Sequence, residues 1–303
     1  MNSRIWALIL IVVLGCVWGS SFILIKRGLL AFEPVQVAGL RLAFAGFCLL
    51  PWFVKYSIWQ PLHGQHNLVK ADYAYLLLSG VIGNAIPAFL FSRAGQLIPS
   101  GLSGILNAFT PMFTLLFGVW WFGDKMTRNG ALGVALGLAG AGILLGPTLL
   151  GQDHSLHLGG ASMALFSAVL YGININIIKH KFGHLPGMVK TAYPFVFVGF
   201  LYLIVLAQTG LFDAVPVLDW QAPSQFWKSL GFVAILGVLG SALSMLAFNW
   251  VIKQTSALEA STNTFIIPVM AVIWGLVDSE ALTWNMFVGL LLSLAAVYLV
   301  MRR

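Results

Sequence analysis

Ten runs of apolar residues alternate along this chain with short polar joints: 5–25, 35–54, 73–91, 103–122, 130–150, 158–178, 191–211, 230–252, 260–277 and 283–301. A helix needs about 20 predominantly apolar residues to cross the hydrocarbon core of a bilayer. Nine runs contain no Asp, Glu, Lys or Arg, and the second carries Arg41. Punctuation supports the divisions. Pro34 precedes the second run, Pro99 and Ser100-Gly101 precede the fourth, Gly123-Asp124 closes it, and Pro186 precedes the seventh. Pro111 and Pro268 fall inside runs four and nine, where a lipid-embedded helix tolerates a kink. The pattern predicts an all-α integral membrane protein of ten transmembrane helices.

Composition rules out the soluble alternative. Hydrophobic residues make up 59% of the chain and charged residues 8%, with a mean hydropathy of +0.92. A soluble domain carries about 25% charge to cover its surface. Disorder is excluded too, because it requires low hydrophobicity. The net charge of +7 lies between the runs, which makes it a topology signal and not a nucleic-acid footprint. With a cytoplasmic N-terminus, only Lys26, Arg27, Arg41, Arg93 and Lys228 of the 16 basic residues fall elsewhere than the inner side. Both termini are therefore expected in the cytoplasm, in a multi-pass protein of the cytoplasmic membrane. Residues 4–14 look like a signal peptide, but the run continues through Trp18-Gly19-Ser20-Ser21 without a cleavage site. We expect it to be kept as the first helix. Cys16 and Cys48 lie inside apolar runs and read as small apolar side chains.

The chain repeats itself. Gly80-Val81-Ile82-Gly83-Asn84-Ala85 aligns with Gly237-Val238-Leu239-Gly240-Ser241-Ala242 at an offset of 157. The same offset pairs Phe91 with Phe248, Pro111 with Pro268 and Gly118 with Gly275. One deletion later, Asp124 meets Glu280, Asn129 meets Asn285 and Gly133 meets Gly289. Upstream, Trp18-Gly19 aligns with Tyr171-Gly172 and Lys26 with Lys179. The expected organisation is a first five-helix repeat at 1–152 and a second at 153–303. Five is odd, so the second half enters the membrane from the opposite side. Two inverted halves that exchange conformations move an opening from one face to the other around a midplane site.

These residues also carry a family resemblance. Trp18-Gly19-Ser20-Ser21 followed by Lys26, Arg41 early in the second span, Asn107-Ala108-Phe109-Thr110-Pro111, Gly123-Asp124 and Pro268 with Asp278-Ser279-Glu280 form its pattern. The chain resembles, over nearly its whole length, the EamA-type branch of the drug/metabolite transporter superfamily. These are ten-helix metabolite exporters that include aromatic amino-acid exporters. The resemblance implies export of small metabolites through a cavity lined mainly by spans one, three, four, six, eight and nine. The sequence departs from the family at Val277-Asp278-Ser279, where Leu-Gly usually precedes Glu.

Polar side chains within membrane helices usually face the bundle interior, where they serve as substrate ligands or as interhelical hydrogen-bond glue. The candidate substrate-binding residues are Trp18, Ser21, Asn84, Asn107, Tyr171, Asn174, Ser244 and Asn263. Trp18 and Tyr171 occupy matching mid-span places and are candidates for a gate or stacking surface. Arg41 reads as a snorkelling or structurally paired charge, with a counter-charge for a substrate carboxylate as the competing role. Glu259 reads as a cap or a partner for Lys253. Gly133 and Gly137 offer either a homodimer face or close packing within a monomer. The histidine pairs lack acidic or thiol companions, so no metal and no cofactor is expected. No nucleophile–base motif or phosphate-binding glycine loop is present.

The expected function is secondary transport of small amino acids or similar polar, zwitterionic metabolites, outward, by alternating access. The partners are a small-molecule substrate and the lipid bilayer. A channel would need a polar stripe from face to face. An enzyme acting on lipid-linked substrates would need paired acids at one face. No acid stands at mid-span, which disfavours a cationic substrate.

Overall fold

A computed structural model describes residues 3–59, 68–149, 157–211, 224–255 and 257–302. His63, Gln65, His66, Gln152 and His154 lie outside the described residues. Ten helices are long and apolar enough to span a membrane: α1 (Ser3–Gly28), α2 (Pro34–Ile58), α3 (Lys70–Ala94), α4 (Ser100–Phe122), α5 (Arg128–Gly146), α6 (Leu158–Lys181), α7 (Gly187–Gln208), α8 (Ser224–Gln254), α9 (Glu259–Val277) and α10 (Trp284–Met301). Among the described residues there is no strand. Several helices outrun their apolar cores. α3 starts at Lys70, where the Asp72 carboxylate accepts a hydrogen bond from Val69 N at 2.9 Å.

Five helices are interrupted, and the interruptions fall around the middle of the bundle. α1 turns at Ser20. α3 widens to π-helix over Val81–Ala85, and α8 does so over Val238–Leu243. α4 breaks between Asn107 and Thr110, and α9 tightens to a 3-10 turn over Thr262–Phe265. Pro111 and Pro268 account for the last two, because proline cannot donate to the carbonyl four residues back and its ring collides with it. At Pro111 the orphaned carbonyl is that of Asn107, and Thr110 Oγ1 donates to it at 2.8 Å.

Close helix crossings come in matched pairs. At the α2–α7 crossing, a Cβ on Gly46 would lie 3.0 Å from Phe195 O, and one on Gly199 2.8 Å from Leu42 O. At α1–α9, a Cβ on Gly19 would lie 2.6 Å from Ile267 O. At α6–α4, one on Gly172 would lie 2.8 Å from Phe113 C. A Cβ under 3.0 Å from the facing backbone would push the helices apart, which is why small residues stand at such crossings. Two α5 glycines are used within the chain: Gly133 packs on Ala296 and Val300 of α10, and Gly137 on Met112 of α4. Glu259 pairs with Arg4, at the start of α1, at 3.0 Å. His157 caps α6 by accepting from Gly160 N at 3.2 Å.

Candidate functional site

A cavity of about 390 Å³ lies within the bundle, between the halves of the chain. α1 contributes Trp18 and Ser21, α2 contributes Arg41, and α3 contributes Ser79 and Asn84. α4 adds Asn107 and Thr110 beside its break, and α6 adds Tyr171 and Asn174. α7 adds Lys190 and Thr191, α8 adds Ser241, Phe248 and Asn249, and α9 adds Thr264. The helix breaks matter here, because they bring backbone polar groups and their side-chain partners to the wall of a cavity at membrane depth.

Of the eight candidates, Trp18, Ser21, Asn84, Asn107, Tyr171 and Asn174 line this cavity. Trp18 Nε1 donates to Gly240 O at 3.1 Å, and its ring meets Phe248 edge-on at 5.3 Å. Tyr171 stacks on Phe91 at 6.1 Å, and Phe91 meets Phe22 at 5.4 Å. An aromatic wall thus runs from α6 through α3 to α1. Asn174 Oδ1 accepts from Ser79 Oγ at 2.6 Å, which fixes the amide. Ser21 Oγ bonds back to Val17 O at 3.4 Å. Asn107 Oδ1 is buried without a hydrogen-bond partner.

Ser244 and Asn263 stand outside the cavity lining. The Ser244 hydroxyl turns back onto Leu239 O inside the π-helical stretch of α8. Asn263 is buried in the 3-10 turn of α9, and its backbone O faces Gly15 of α1. Both positions follow from a local change of helical period, which moves a side chain off the face that a 3.6-residue repeat assigns it.

The sequence reading left α2 and α7 out of the cavity. Of the two structural readings of Arg41, the structure shows pairing and not snorkelling. Arg41 lines the cavity, and its Nε donates to Ser241 Oγ of α8 at 3.0 Å. Ser241 Oγ in turn donates to Leu236 O at 3.1 Å. Lys190, which counts in sequence as a topology charge, also lines the cavity. The signal that could have found it is Pro194, one turn further along the same face, which also lines the wall. Beside them, Asn249 Nδ2 donates to Thr191 Oγ1 at 2.8 Å and ties α8 to α7.

Ionic clusters sit at both ends of the bundle. At one end, Lys26 of α1 lies 2.6 Å from Asp278 Oδ2 and 2.8 Å from Glu280 Oε1, while Arg27 pairs with Asp278. Glu280 also accepts from the backbone N of Ser100 and Gly101, at 2.9 and 3.2 Å, and so caps α4. Burial alone would push the Glu280 carboxyl up. Lys26 and the two α4 amides outweigh it and hold the carboxyl below its ordinary value. At the other end, Lys179 of α6 lies 2.5 Å from Asp124 Oδ2, with His180 at 3.5 Å from Oδ1. The Lys179 hydrogen bond leads the effects that hold Asp124 below its ordinary value. Each carboxylate packs against a glycine of the preceding helix: Asp124 on Gly118 and Glu280 on Gly275.

Residues 5–146 and 158–302 match the EamA-like transporter family. The uncharacterised transporter YoaV of Bacillus subtilis is 26% identical over 285 residues, covering 93% of this chain and 92% of its own. The uncharacterised inner membrane transporter YedA of Escherichia coli K12 is 29% identical, covering 86% of this chain and 78% of its own. A probable terminal-alkyne amino-acid exporter of Streptantibioticus cattleyicolor is 23% identical, covering 100% of this chain and 95% of its own. A solved crystal structure at 16% identity shares the fold, with a TM-score of 0.61 over 98% of both chains.

Proposed function

Since this chain belongs to the EamA-like transporter family, we propose that it is a secondary transporter that exports small amino acids or similar polar, zwitterionic metabolites across the cytoplasmic membrane by alternating access. The observation that carries the proposal is the cavity between the halves, lined by amides, hydroxyls and aromatic rings together with Arg41 and Lys190, at the level where five helices are interrupted. A membrane transporter built in this way needs no catalytic group, and the chain is not an enzyme.

Alternating access rests on the two halves, 1–152 and 153–303, as inverted repeats. The matched crossings support this reading. Gly46 on Phe195 answers Gly199 on Leu42, and Gly19 on α9 answers Gly172 on α4. Each pair is what a pseudo-two-fold axis in the membrane plane would generate. The two ionic clusters then stand as opposite gates. We read the substrate-binding set as Trp18, Ser21, Asn84, Asn107, Tyr171 and Asn174. Ser244 ties the interrupted α8 to its own Leu239 O, outside this set. The name of the Streptantibioticus relative supports amino acids as the substrate class and export as the direction. Gly133 and Gly137 of α5, covered by α10 and α4 of the same chain, favour a monomer.

The test is purified protein in liposomes loaded with labelled amino acids. Saturable counter-flow of at least one of them is the expected result. Flux restricted to large cations or nucleotide sugars would refute the substrate class.

A further inference from the structure

We propose that the cavity is an anion site: the transported solute carries a carboxylate that docks on the terminal nitrogens of Arg41, and Lys190 makes net-anionic carboxylates the preferred cargo over neutral amino acids. The proposal rests on the transporter reading and moves its substrate class from neutral zwitterions to organic acids, acidic amino acids among them.

The argument begins with charge. Among the described residues lining the cavity, Arg41 and Lys190 are the only ones with a formal charge. The described carboxylates all lie outside this lining. Glu33 is exposed at the start of α2, Asp72 faces His184 at 3.3 Å, and Asp124 holds Lys179. Glu259 pairs with Arg4, while Asp278 and Glu280 meet Lys26. Two cations therefore share a cavity of about 390 Å³ whose wall is otherwise uncharged, without a protein counter-charge among the described residues. Holding charge in such surroundings is costly unless an opposite charge joins it. A bound anion offsets that cost, a zwitterion offsets it in part, and a cation adds to it.

Geometry then selects the group. Arg41 spends its Nε on Ser241 Oγ, at 3.0 Å, and that hydroxyl is itself anchored to Leu236 O. The anchor orients the guanidinium plane. Its two Nη groups make no hydrogen bond among the described residues, and a planar fork of this kind matches a carboxylate with two parallel bonds. Lys190 stands in the first turn of α7, at the end of the bundle opposite the Lys26 cluster. From there it draws anions toward Arg41. Asn107 Oδ1 is a buried acceptor without a donor on the same wall, and it suits the ammonium or hydroxyl of the solute.

The test uses the full chain in detergent and, separately, in liposomes. Succinate, aspartate, alanine and propylamine serve as probes. Succinate and aspartate should raise the unfolding temperature most, alanine less, and propylamine not at all. Arg41→Gln should weaken succinate binding about 10- to 150-fold, the range of a charge-assisted hydrogen-bond pair. Lys190→Gln should weaken it a few-fold and flatten its salt dependence. Ser241→Ala keeps the guanidinium but removes its anchor, and should weaken binding while leaving a monodisperse, folded protein. Succinate binding unchanged in folded Arg41→Gln would overturn the proposal. So would propylamine or alanine binding as well as succinate, or no binding by any probe. Alanine counter-flow that survives Arg41→Gln overturns the anion site and leaves the transporter standing. Succinate binding that depends on Arg41, without counter-flow of any solute, supports the site and refutes transport.

Discussion

Glu280 Oε1 lies 2.8 Å from Lys26 Nζ and 2.9 Å from the backbone N of Ser100. One carboxylate therefore joins the end of α1, the start of α4 and the turn after α9. Asp124, at the aligned position of the first half, bonds Lys179 in the same way at the opposite end. Glu280→Gln keeps the shape but gives up the charge against Lys26 and the α4 terminus. We expect a loss of about 1–3 kcal/mol in stability, since charge-assisted bonds to a mostly buried acceptor are broken. Thermal unfolding of the purified variant measures it. An unchanged transition would show that the cluster is not holding this end closed.

The same two carboxylates make stability pH-dependent, and the sign follows from the direction of their shifts. Both are held below their ordinary values in the folded protein. Their contribution is complete above the ordinary carboxylate range and is lost as pH falls through the folded-state values. Unfolding temperature should therefore drop below about pH 4, and Glu280→Gln should make that drop shallower. Melting curves across this range check both statements. A variant with the same pH slope as the parent would contradict the assignment to Glu280.

Ser279 holds a left-handed conformation, with φ 62, immediately before Glu280. Gly123, with φ 70, holds the same conformation immediately before Asp124. A side chain in this region costs about 1 kcal/mol that glycine does not incur. This explains why the resembled family carries glycine at the position of Ser279. Ser279→Gly should stabilise the protein by a few tenths to about 1 kcal/mol, the gain being trimmed by the greater freedom of glycine in the unfolded chain. A denaturation midpoint that moves downward would refute the account.

The ten helices were legible because each apolar run has about the length a bilayer needs and is bounded by charge, proline or glycine. Their ends were less so. α8 begins at Ser224 because Ser224, Gln225 and Lys228 still form helix, although they contribute nothing to a hydropathy signal. Six candidate residues lie on the cavity wall because polar groups avoid lipid. Ser244 and Asn263 lie off that wall, where the helical period changes. Arg41 was the harder case. Its anchor, Ser241, is 200 positions away in sequence, so no local pattern tells an inward arginine from a snorkelling one.

Orientation follows from the basic residues and can be checked on described, exposed positions. In a variant lacking Cys16 and Cys48, a cysteine replacing Lys125, in the α4–α5 turn, should resist an impermeant thiol reagent in intact cells. A cysteine replacing Ala31, between α1 and α2, should react. Both side chains are exposed, so access to the reagent and not burial decides the outcome. Labelling at Lys125 and protection at Ala31 would reverse the topology.

Trp18 and Tyr171 face one cavity from opposite halves of the chain, each beside the glycine that seats its helix. Trp18 is held by Gly240 O and Phe248 of α8, and Tyr171 by Phe91 of α3. If these rings stack on the solute or close over it, their loss should affect movement of solute more than folding. Trp18→Ala and Tyr171→Ala should each cut the initial rate of counter-flow about tenfold, in keeping with about 0.5–1.5 kcal/mol per aromatic contact plus the buried area it brings. Trp18→Phe keeps the edge contact with Phe248 but loses the bond to Gly240 O, and should fall between Trp18→Ala and the parent. Membrane abundance and elution as a single folded species should be unchanged in all three. Normal transport in both alanine variants would remove the rings from the mechanism. A loss of folded protein in step with the loss of flux would reduce them to packing residues.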